Sequence, residues 1–303
     1  MKINEFDTPQ GALQYRIMDN QAEIIAYRGK DVEVTIPEQI ESCPVTRIGK
    51  KAFLSNKMIK QITLPESIVR IDDWAFAYCA KLTRMILPYH KMEIGQGIFK
   101  ECGRLDQIID EQGDMTGKRT MDIACLLAAT MSRLDAFYLF DFENAGTDGW
   151  LVQWDARMQY LMSLDDTEGF SKMLLCGEED YGSKENNLDY YIQQQRKSKV
   201  RLAMLRLMHD YGLSEPASNR LKEYLLAHNK GQPTEETWRV VLEEHGDEKE
   251  YFQFLIDLGC VTLENFQDLI ADMGDSHTEM KAFLMRYHSN QSESQDAFAA
   301  FSL

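Results

Sequence analysis

The stretch VTIPEQIESCPVTRIGKKAF at residues 34–53 is followed by two variants of itself, ITLPESIVRIDDWAFAYCAKL at 62–82 and MILPYHKMEIGQGIFKECGRL at 85–105. Apolar residues recur in these segments with a constant step of 23 residues, in four sets: Phe53, Phe76 and Phe99; Ile48, Ile71 and Ile94; Ile59, Leu82 and Leu105; Ile62, Met85 and Ile108. A period of roughly 20–29 residues with apolar positions in phase is typical of a solenoid, in which stacked units share one core. The sequence therefore predicts an N-terminal solenoid, an architecture that usually binds other molecules rather than transforming them.

Each repeat unit is predicted to contain a short strand, a proline and a second short extended segment. Thr63-Leu64-Pro65 and Ile86-Leu87-Pro88 end strands, because proline cannot continue a hydrogen-bonded ladder. The first unit carries five extra residues between its proline and Ile48. We expect this insertion, QIESCPVT at 39–46, to form a loop at the margin of the solenoid.

The residues before the repeats predict a β-hairpin. Two β-compatible runs, 13–18 and 22–27, are separated by Asp19-Asn20-Gln21, which is a hairpin signature. The end of a solenoid exposes unpaired backbone and apolar core, so a different kind of unit must cover it. The sequence therefore predicts an N-terminal hairpin cap at 1–33 and the solenoid itself at 34–112.

The three segments quoted above are similar to the BspA-like class of leucine-rich repeats. They share the pattern I-P-x-x-(V/I)-x-x-I-x-x-x-A-F-x-x-C-x-x-L, and the hairpin resembles the usual opening of that class, so the resemblance covers about residues 10–110. It implies a leucine-rich-repeat β-solenoid that serves adhesion or protein binding, with diverse partners. Members known for adhesion are secreted or surface-bound, whereas this N-terminus shows no export signal, and this departure counts against an adhesin role.

Composition and charge limit the class of partner. The chain has 303 residues, which suggests two domains, and its net charge of −16 falls mostly on residues 118–303, which carry −14. An acidic second half repels phosphate backbones, so we expect no nucleic-acid ligand. The N-terminus lacks the apolar core of a signal peptide, and no stretch approaches the ~20 apolar residues of a membrane span. These features predict a cytoplasmic protein that does not associate with membranes.

The six cysteines, at 43, 79, 102, 125, 176 and 260, are scattered and contain no CxxC pair, as expected of a reducing compartment. Cys79 and Cys102 share one repeat phase, where the first repeat has Asn56. We expect this phase to point inward and to require a small side chain or a hydrogen bond to the backbone.

The second half predicts helices. From about Met121 helical spacing replaces the strand pattern, and helices are expected to stop at Gly212 and Gly259, with Ser214 and Thr262 capping the next ones. This pattern of helices separated by glycine stops and capping residues predicts an all-α domain at 121–288, either degenerate ankyrin-like repeats or an unrelated bundle. A linker at 113–120 would precede it, and a flexible tail at 289–303, ending in a possible docking motif at 301–303, would follow. The fold class is thus α+β, a capped leucine-rich-repeat β-solenoid followed by a helical-repeat domain.

No residue pattern indicates catalysis. The run from Gly113 to Thr120 resembles a phosphate loop, but only three residues separate its glycines and Arg119 follows Lys118 where Ser or Thr is required. Cys176 could act as a nucleophile only if the fold brought a histidine to it, and its apolar neighbours favour a buried, unreactive thiol. The Arg/Lys cluster at 196–206 should pair with carboxylates of neighbouring helices, with a phosphate-binding patch as the alternative. We therefore predict no enzyme activity, cofactor or metal; the alternative is an enzyme in the helical domain.

The predicted function is binding of a protein partner through the outward face of the repeat sheet. Since side chains alternate between the two faces of a strand, the residues between the inward ones face outward: Gln61, Thr63, Arg84, Ile86 and Gln107.

Trp74 and Tyr78 flank Phe76 and are candidate aromatic anchors, since binding hot spots favour such side chains. The alternative for Trp74 is packing against the insertion or the helical domain. The alternative function is structural, a self-association module whose repeat face is covered by the helical domain or by a homodimer.

Overall fold

The structure is a computed structural model that describes residues 3–110, 117–176 and 187–301, of which 174–176 and 291–301 are described by their backbone alone. The chain divides into two compact units. The first comprises Met1–Leu161 with His209–Gly212, and the second comprises Met162–Met208 with Leu213–Leu303. Of the predicted linker at 113–120, residues 113–116 lie outside the described residues and Lys118–Thr120 begin a helix, while the predicted domain boundaries stay a prediction.

The first unit contains eleven strands among its described residues, arranged in two sheets. One sheet has the order β1-β2-β3-β6-β8-β10, with β5 paired to β6, and the other has the order β11-β9-β7-β4. The strands are β1 (Asn4–Thr8), β2 (Gly11–Met18), β3 (Gln21–Gly29), β4 (Glu33–Thr35), β5 (Gln39–Ile40), β6 (Cys43–Ile48), β7 (Gln61–Thr63), β8 (Arg70–Ile71), β9 (Arg84–Ile86), β10 (Glu93–Ile94) and β11 (Gln107–Ile109).

The chain passes between the two sheets once per repeat, which makes a solenoid of four turns. Successive strands pair in parallel with the register of the repeat, so that Ile62 lies beside Met85 and Met85 beside Ile108. The predicted solenoid is confirmed. Leu64 and Leu87, predicted to point inward, are fully buried.

The core of the solenoid contains a column of stacked aromatic rings. Ring centroids are 5.6 Å apart between Tyr27 and Phe53, 5.3 Å between Phe53 and Phe76, and 5.6 Å between Phe76 and Phe99. The 23-residue spacing of the phenylalanines thus places one ring in each turn, and Tyr27 from the cap supplies the first ring.

The inward phase of Asn56, Cys79 and Cys102 satisfies backbone groups, as predicted. The thiols of Cys79 and Cys102 donate to the carbonyls of Phe53 and Phe76, each at 3.1 Å. The Asn56 side chain accepts from the backbone N–H of Met58 and Ile59, both at 2.9 Å. One phase therefore serves the same purpose in three turns with two kinds of side chain.

The N-terminal cap is confirmed as a hairpin that joins the repeat sheet. β2 and β3 are antiparallel, and the turn residues Asp19 and Asn20 both have positive φ, 50° and 58°. Such a turn matches the twist of the flanking strands. β3 then runs parallel to β6. Strand β3 therefore forms hydrogen bonds with β6, whose edge would otherwise remain unpaired.

The prediction of a loop at 39–46 was wrong. These residues form β5 and the beginning of β6, with Ile40 beside Cys43 and Gln39 beside Pro44. Ile40 and Val45 are buried, and Glu41 and Ser42 make the tight turn with positive φ values of 51° and 65°. The extra residues pair with each other because this pairing buries the apolar side chains of Ile40 and Val45 in the core.

Helices follow the last repeat in the first unit: α1 (Lys118–Ser132), a short 3-10 helix (Phe137–Leu139) and α2 (Asp148–Ser163), whose last two residues belong to the second unit. α1 packs on β11, and Phe140 continues the aromatic column with its ring centroid 6.0 Å from that of Phe99. The buried Trp154 of α2 donates from Nε1 to the carbonyl of Leu126 at 2.9 Å. The C-terminal end of the solenoid is thus covered by a helix.

The described part of the second unit is helical. Gly259 ends α7 in the left-handed region, with φ of 83°, and Ser214 is the N-cap of α5 but makes no side-chain capping bond. The helices are α3 (Phe170–Cys176), α4 (Leu188–Met208), α5 (Glu215–Ala227), α6 (Glu236–Glu244), α7 (Lys249–Leu258), α8 (Phe266–Met273) and α9 (Thr278–Phe301).

α9 reaches through most of the predicted tail at 289–303. The mobility of that tail stays a prediction. Ser302 and Leu303 of the suggested docking motif lie outside the described residues.

Loops of the second unit lie side by side at similar sequence spacing. The Asn229 amide donates to the carbonyl of Cys260, 31 residues away, at 2.7 Å. The His277 ring lies 2.9 Å from a carboxylate oxygen of Asp247, 30 residues away. Side-by-side loops at nearly constant spacing favour the helical-repeat alternative over an unrelated bundle.

Candidate functional site

The predicted binding residues lie on one face of the repeat sheet, in two adjacent rows that we together call the outward row: Gln61 of β7, Arg84 of β9 and Gln107 of β11 in one, and Thr63 of β7 and Ile86 of β9 in the other. All five are half-buried, whereas Ile62, Met85 and Ile108 between them are fully buried. Arg84 donates from Nε to the side-chain oxygen of Gln107 at 3.0 Å. The strand alternation thus places these side chains on one sheet face.

Helix α1 closes one end of the outward row. Burial raises the pKa of Cys125 in α1 to about 12, and Gln107 and Arg84 are close enough to oppose that shift by a hydrogen bond and by charge. Ile109 of β11 is buried, whereas Glu33 and Thr35 of β4 are exposed. The row is therefore most open toward β4.

Trp74 and Tyr78, which we call the aromatic pair, lie in the turn after β8. Their side chains are 40% and 43% exposed, and their φ angles are 59° and 60°. The equivalent residues one repeat earlier and later, Lys51, Ser55, Gly97 and Glu101, have φ between 58° and 61°. The left-handed backbone is thus a property of the repeat, and it holds two large aromatic rings at the surface.

The Trp74 indole is held between the neighbouring turns. The Lys51 ammonium lies 5.0 Å from the ring centroid, which is a cation–π distance. On the other side, a Cβ at Gly97 would lie 3.0 Å from Trp74 Cδ1 and Nε1, so the absence of a side chain there makes room for the ring. The ring is consequently fixed in place while two fifths of the residue stays exposed.

The outward row and the aromatic pair occupy different sides of the solenoid. The row lies on the sheet formed by β4, β7, β9 and β11, whereas the pair lies in a turn that follows a strand of the other sheet. Sequence reasoning grouped them as one set of binding residues. The structure brings together the members of each group but does not join the two groups on one face.

The other sheet carries a ladder of ion pairs that sequence reasoning missed. Arg16 pairs with Glu23 at 2.6 Å, Arg47 with Asp72 at 2.6 Å, and Arg70 with Asp72 at 2.7 Å. Several of these residues occupy matching positions of successive turns, which is the signal that could have revealed them. Because these charges are already matched, this face is a weaker candidate for binding than the other two sides.

The repeat segment of the chain matches a known protein-family model. A family model described as "BspA type Leucine rich repeat region (6 copies)" matches residues 30–116. Residues 30–116 are a BspA type leucine-rich repeat region. The match covers the cap boundary, the four turns of the leucine-rich repeat and both candidate surfaces.

Three solved leucine-rich repeat structures match about a third of the chain. A T. pallidum leucine rich repeat protein is 33% identical over 32% of this chain and 46% of its own, with a TM-score of 0.31. A leucine rich cell surface protein from Faecalibacterium prausnitzii A2-165 is 26% identical over 35% and 30%, with a TM-score of 0.29. A leucine-rich repeat protein from Bacteroides capillosus ATCC 29799 is 27% identical over 35% and 83%, with a TM-score of 0.31.

This chain thus spans just under half the length of the T. pallidum protein. No curated protein matches the chain.

Two further apolar residues are exposed on the leucine-rich repeat region, and sequence reasoning missed them. Leu54 and Met58 are exposed, whereas the later repeats place Ala77 and Lys100, and Lys81 and Arg104, at the same phases. An apolar residue at a phase that is small or charged in the other repeats was the available signal. Leu54 adjoins Ser55, whose N–H donates to the carbonyl of Ala77 beside Tyr78.

The cation cluster of α4 is paired, as predicted. Arg196 and Lys199 each lie 2.7 Å from Asp166, and Lys197 and Arg201 lie 2.5 Å from Glu243 and Glu244 respectively. The phosphate-binding alternative therefore loses its support. Among residues 3–110, 117–176 and 187–301, no group of three histidine, cysteine, aspartate or glutamate side chains could hold a metal ion.

The described cysteines should differ sharply in reactivity. Cys43 is half-buried, whereas Cys79, Cys102, Cys125 and Cys260 are buried. Burial raises the pKa of both Cys125 and Cys260 to about 12, and a buried, protonated thiol is a poor nucleophile. We expect iodoacetamide at pH 8 to label Cys43 in the native protein and the other four only after unfolding, measured by peptide mass spectrometry. Labelling of Cys125 or Cys260 at the rate of Cys43 would contradict this expectation. Cys176 has no described side chain.

Proposed function

We propose that this chain is a non-catalytic scaffold that binds a protein partner through its leucine-rich repeat region. Leucine-rich repeat proteins generally mediate protein–protein interaction or adhesion, and they are typically not enzymes. The observation that carries the proposal is the aromatic pair, because large aromatic side chains fixed at a surface are the residues that most often dominate binding energy. Rigid anchors lose little side-chain entropy when they bind.

The outward row is the alternative binding surface. Its open end toward β4 presents half-buried polar and apolar side chains, including Gln61, Thr63, Arg84 and Ile86. A partner that binds there would extend over a flat sheet face, whereas a partner that binds the aromatic pair would contact the turns. Substitutions in one surface or the other can therefore distinguish the two alternative binding sites.

The double variant Trp74→Ala/Tyr78→Ala should weaken binding of the partner by about 30-fold or more, since loss of a hot spot costs about 2 kcal/mol or more. The partner is first captured from an extract of the source cells on the biotinylated full chain and identified by mass spectrometry. The purified partner is then titrated against each variant by calorimetry.

Two matched variants control this experiment. Phe137→Ala/Tyr138→Ala removes two aromatic side chains that are 49% and 63% exposed but lie outside the repeats, and it should leave affinity unchanged. Arg84→Glu/Ile86→Asp disrupts the outward row. Loss of binding with that variant alone would move the site to the sheet, and unchanged affinity in both repeat variants would overturn the proposal.

A second copy of the chain is the alternative partner. Light scattering at micromolar concentration measures this directly, and a dimer that dissociates in one of the two repeat variants would place the repeat face in a homodimer. Enzyme activity in the helical domain is the lesser alternative, for which the described residues offer no metal-ligating cluster.

The proposal includes a cytoplasmic location. It is supported by the five described cysteines, all of which are free thiols. Among the described residues, no helix has the length and apolarity needed to span a bilayer.

A further inference from the structure

One side of the solenoid is basic, although the chain as a whole carries a net charge of −16. The turns that lead from one sheet to the other, at 50–60, 73–83 and 96–106, hold seven cationic side chains and three carboxylates, a local net charge of +4 (7 − 3). All seven cations are exposed. We call this surface the basic face, and its cations are Lys50, Lys51, Lys57, Lys60, Lys81, Lys100 and Arg104.

Most cations of the basic face have no partner of opposite charge. Lys50 lies 3.6 Å from a carboxylate oxygen of Asp73, and the Lys51 ammonium lies over the Trp74 ring. The side chains of the other five form no ion pair with any residue that the structure describes. The ladder of ion pairs on the neighbouring sheet is matched, whereas the basic face is not. Unmatched surface charge of one sign attracts a ligand of the opposite sign.

Apolar side chains lie among these cations. Leu54 and Met58 are 37% and 39% exposed, and the aromatic pair lies in the next turn. Met58 shares its repeat phase with Lys81 and Arg104, so one column along the stack presents an apolar side chain followed by two cations. Backbone hydrogen bonds hold successive turns together, which places residues of the same phase about 5 Å apart. The basic face thus combines charge with the aromatic and methionine side chains that protein interfaces favour.

The way the apolar side chains are held favours one class of anionic partner. A lipid surface is bound by apolar groups that enter it by about 5–10 Å. Here the Trp74 indole lies between the Lys51 ammonium and Gly97, and Leu54 and Met58 are less than two fifths exposed, so none of these side chains protrudes far. Nucleic-acid bases stack on an open ring face, whereas Lys51 covers a face of Trp74. Carboxylates of a protein segment require neither insertion nor stacking.

We propose that the basic face binds an acidic segment of a protein partner, in which aspartate or glutamate residues flank an apolar side chain. This inference rests on the proposed protein-binding function and names the chemistry of the partner. The carboxylates of the segment pair with Lys57, Lys81 and Arg104, while its apolar side chain packs against Met58 and the aromatic pair. Complementary charge of this kind orients a partner and speeds its association.

Selection of random peptides displayed on phage, with the immobilised full chain as target, tests this without knowledge of the partner. At low ionic strength, where surface charges are least screened, we expect enrichment of peptides that carry two or more acidic residues beside an aromatic or aliphatic one. A selection that does not enrich acidic residues would overturn the inference. Selected peptides that lack acidic residues but require the aromatic pair would overturn this inference alone and leave the proposed protein-binding function in place.

Lys57→Glu/Lys81→Glu/Arg104→Glu should weaken binding of a selected peptide about tenfold or more, because each exposed ion pair contributes little but three are reversed together. The control Arg28→Glu/Arg220→Glu/Lys222→Glu makes the same change in net charge with three exposed cations on β3 and α5, and it should leave affinity nearly unchanged. Equal loss in both variants would reflect overall charge and overturn the inference. Replacing the acidic residues of the peptide by their amides should cause the same loss on the unmodified chain, whether or not either variant folds.

Two other anionic occupants of the basic face are tested with the same pair of variants. Cosedimentation with vesicles of equimolar phosphatidylserine and phosphatidylcholine tests a lipid surface. Light scattering tests a second copy of the chain, whose residues 118–303 carry −14. Vesicle binding or dimerisation that is lost in Lys57→Glu/Lys81→Glu/Arg104→Glu but kept in the control variant would assign the basic face to that occupant and overturn the assignment to an acidic segment of another protein.

Discussion

Replacing Phe76 by alanine should lower the free energy of unfolding by about 3–5 kcal/mol, the range typical of large-to-small changes of a buried phenylalanine. Phe76 is fully buried, and its ring stacks between those of Phe53 and Phe99 at centroid distances of 5.3 and 5.6 Å. The substitution removes the apolar contact area and both ring–ring contacts, and it leaves a cavity in the middle of the column. Neighbouring turns are held at fixed spacing by backbone hydrogen bonds, so the cavity cannot easily collapse.

Urea denaturation of the full chain, followed by circular dichroism, measures this loss. Phe137→Ala is the matched control, because it removes a phenylalanine that is 49% exposed and should cost well under 1 kcal/mol. Phe76→Leu keeps most of the volume and should recover most of the stability. A loss below about 1 kcal/mol for Phe76→Ala would show that the column contributes little to the fold.

Replacing Asp31 by alanine should cost about 3 kcal/mol, because it leaves one buried donor, the Tyr27 hydroxyl, and two partly buried donors without an acceptor. The Asp31 carboxylate accepts hydrogen bonds from the Thr8 hydroxyl, from the Tyr27 hydroxyl at 2.7 Å, and from the Gln10 N–H at 2.8 Å. Asp31 is buried, and these bonds tie the β1–β2 turn to the end of β3. The substitution should therefore detach the outer strands of the cap.

The effect of Asp31 should depend on pH. Burial would raise the pKa of its carboxyl, but the hydrogen bonds from Thr8, Tyr27 and Gln10 outweigh it, so the pKa is lowered in the folded protein. A lowered folded-state pKa contributes stability that is present above the unfolded-state value of about 4 and is lost as the pH falls through the folded-state value. The difference in Tm between the unmodified chain and Asp31→Ala should therefore be constant near pH 7 and shrink below about pH 4.

Melting curves between pH 2.5 and 7 test this expectation, with Asp7→Ala as the control. Asp7 lies on β1 of the same cap but is exposed, so its substitution should not change how Tm falls at acidic pH. A difference in Tm between the unmodified chain and Asp31→Ala that stays constant down to pH 2.5 would assign the stability to packing alone.

The repeat period was sufficient to predict the solenoid, because a step of 23 residues fixes both the strand register and the phase of the core. The period was not sufficient to predict the hairpin at 39–46, because that hairpin depends on whether Ile40 and Val45 can be buried in the core. Nor did the period place Trp74 and the outward row on different sides. That placement depends on which sheet each short strand joins. Strands of two or three residues are too short for their alternation of apolar and polar residues to indicate the sheet.

The ion pairs of the second unit were predictable only in part. Pairing of the α4 cations with acidic residues was predictable from composition, because an acidic region offers each cation a carboxylate. Which carboxylate each cation meets was not predictable, since Arg196 and Asp166 are 30 positions apart and only the fold brings them together.

The aromatic column has a consequence for how such a chain could change in length over evolution. Tyr27 of the cap supplies the ring at one end, and Phe140, from beyond the last repeat, meets the ring at the other. Duplication of a unit at either terminus would have to displace one of these closing residues. A 23-residue duplication within the stack would instead add one ring to the column and one strand to each sheet, and it would leave both closing residues in place.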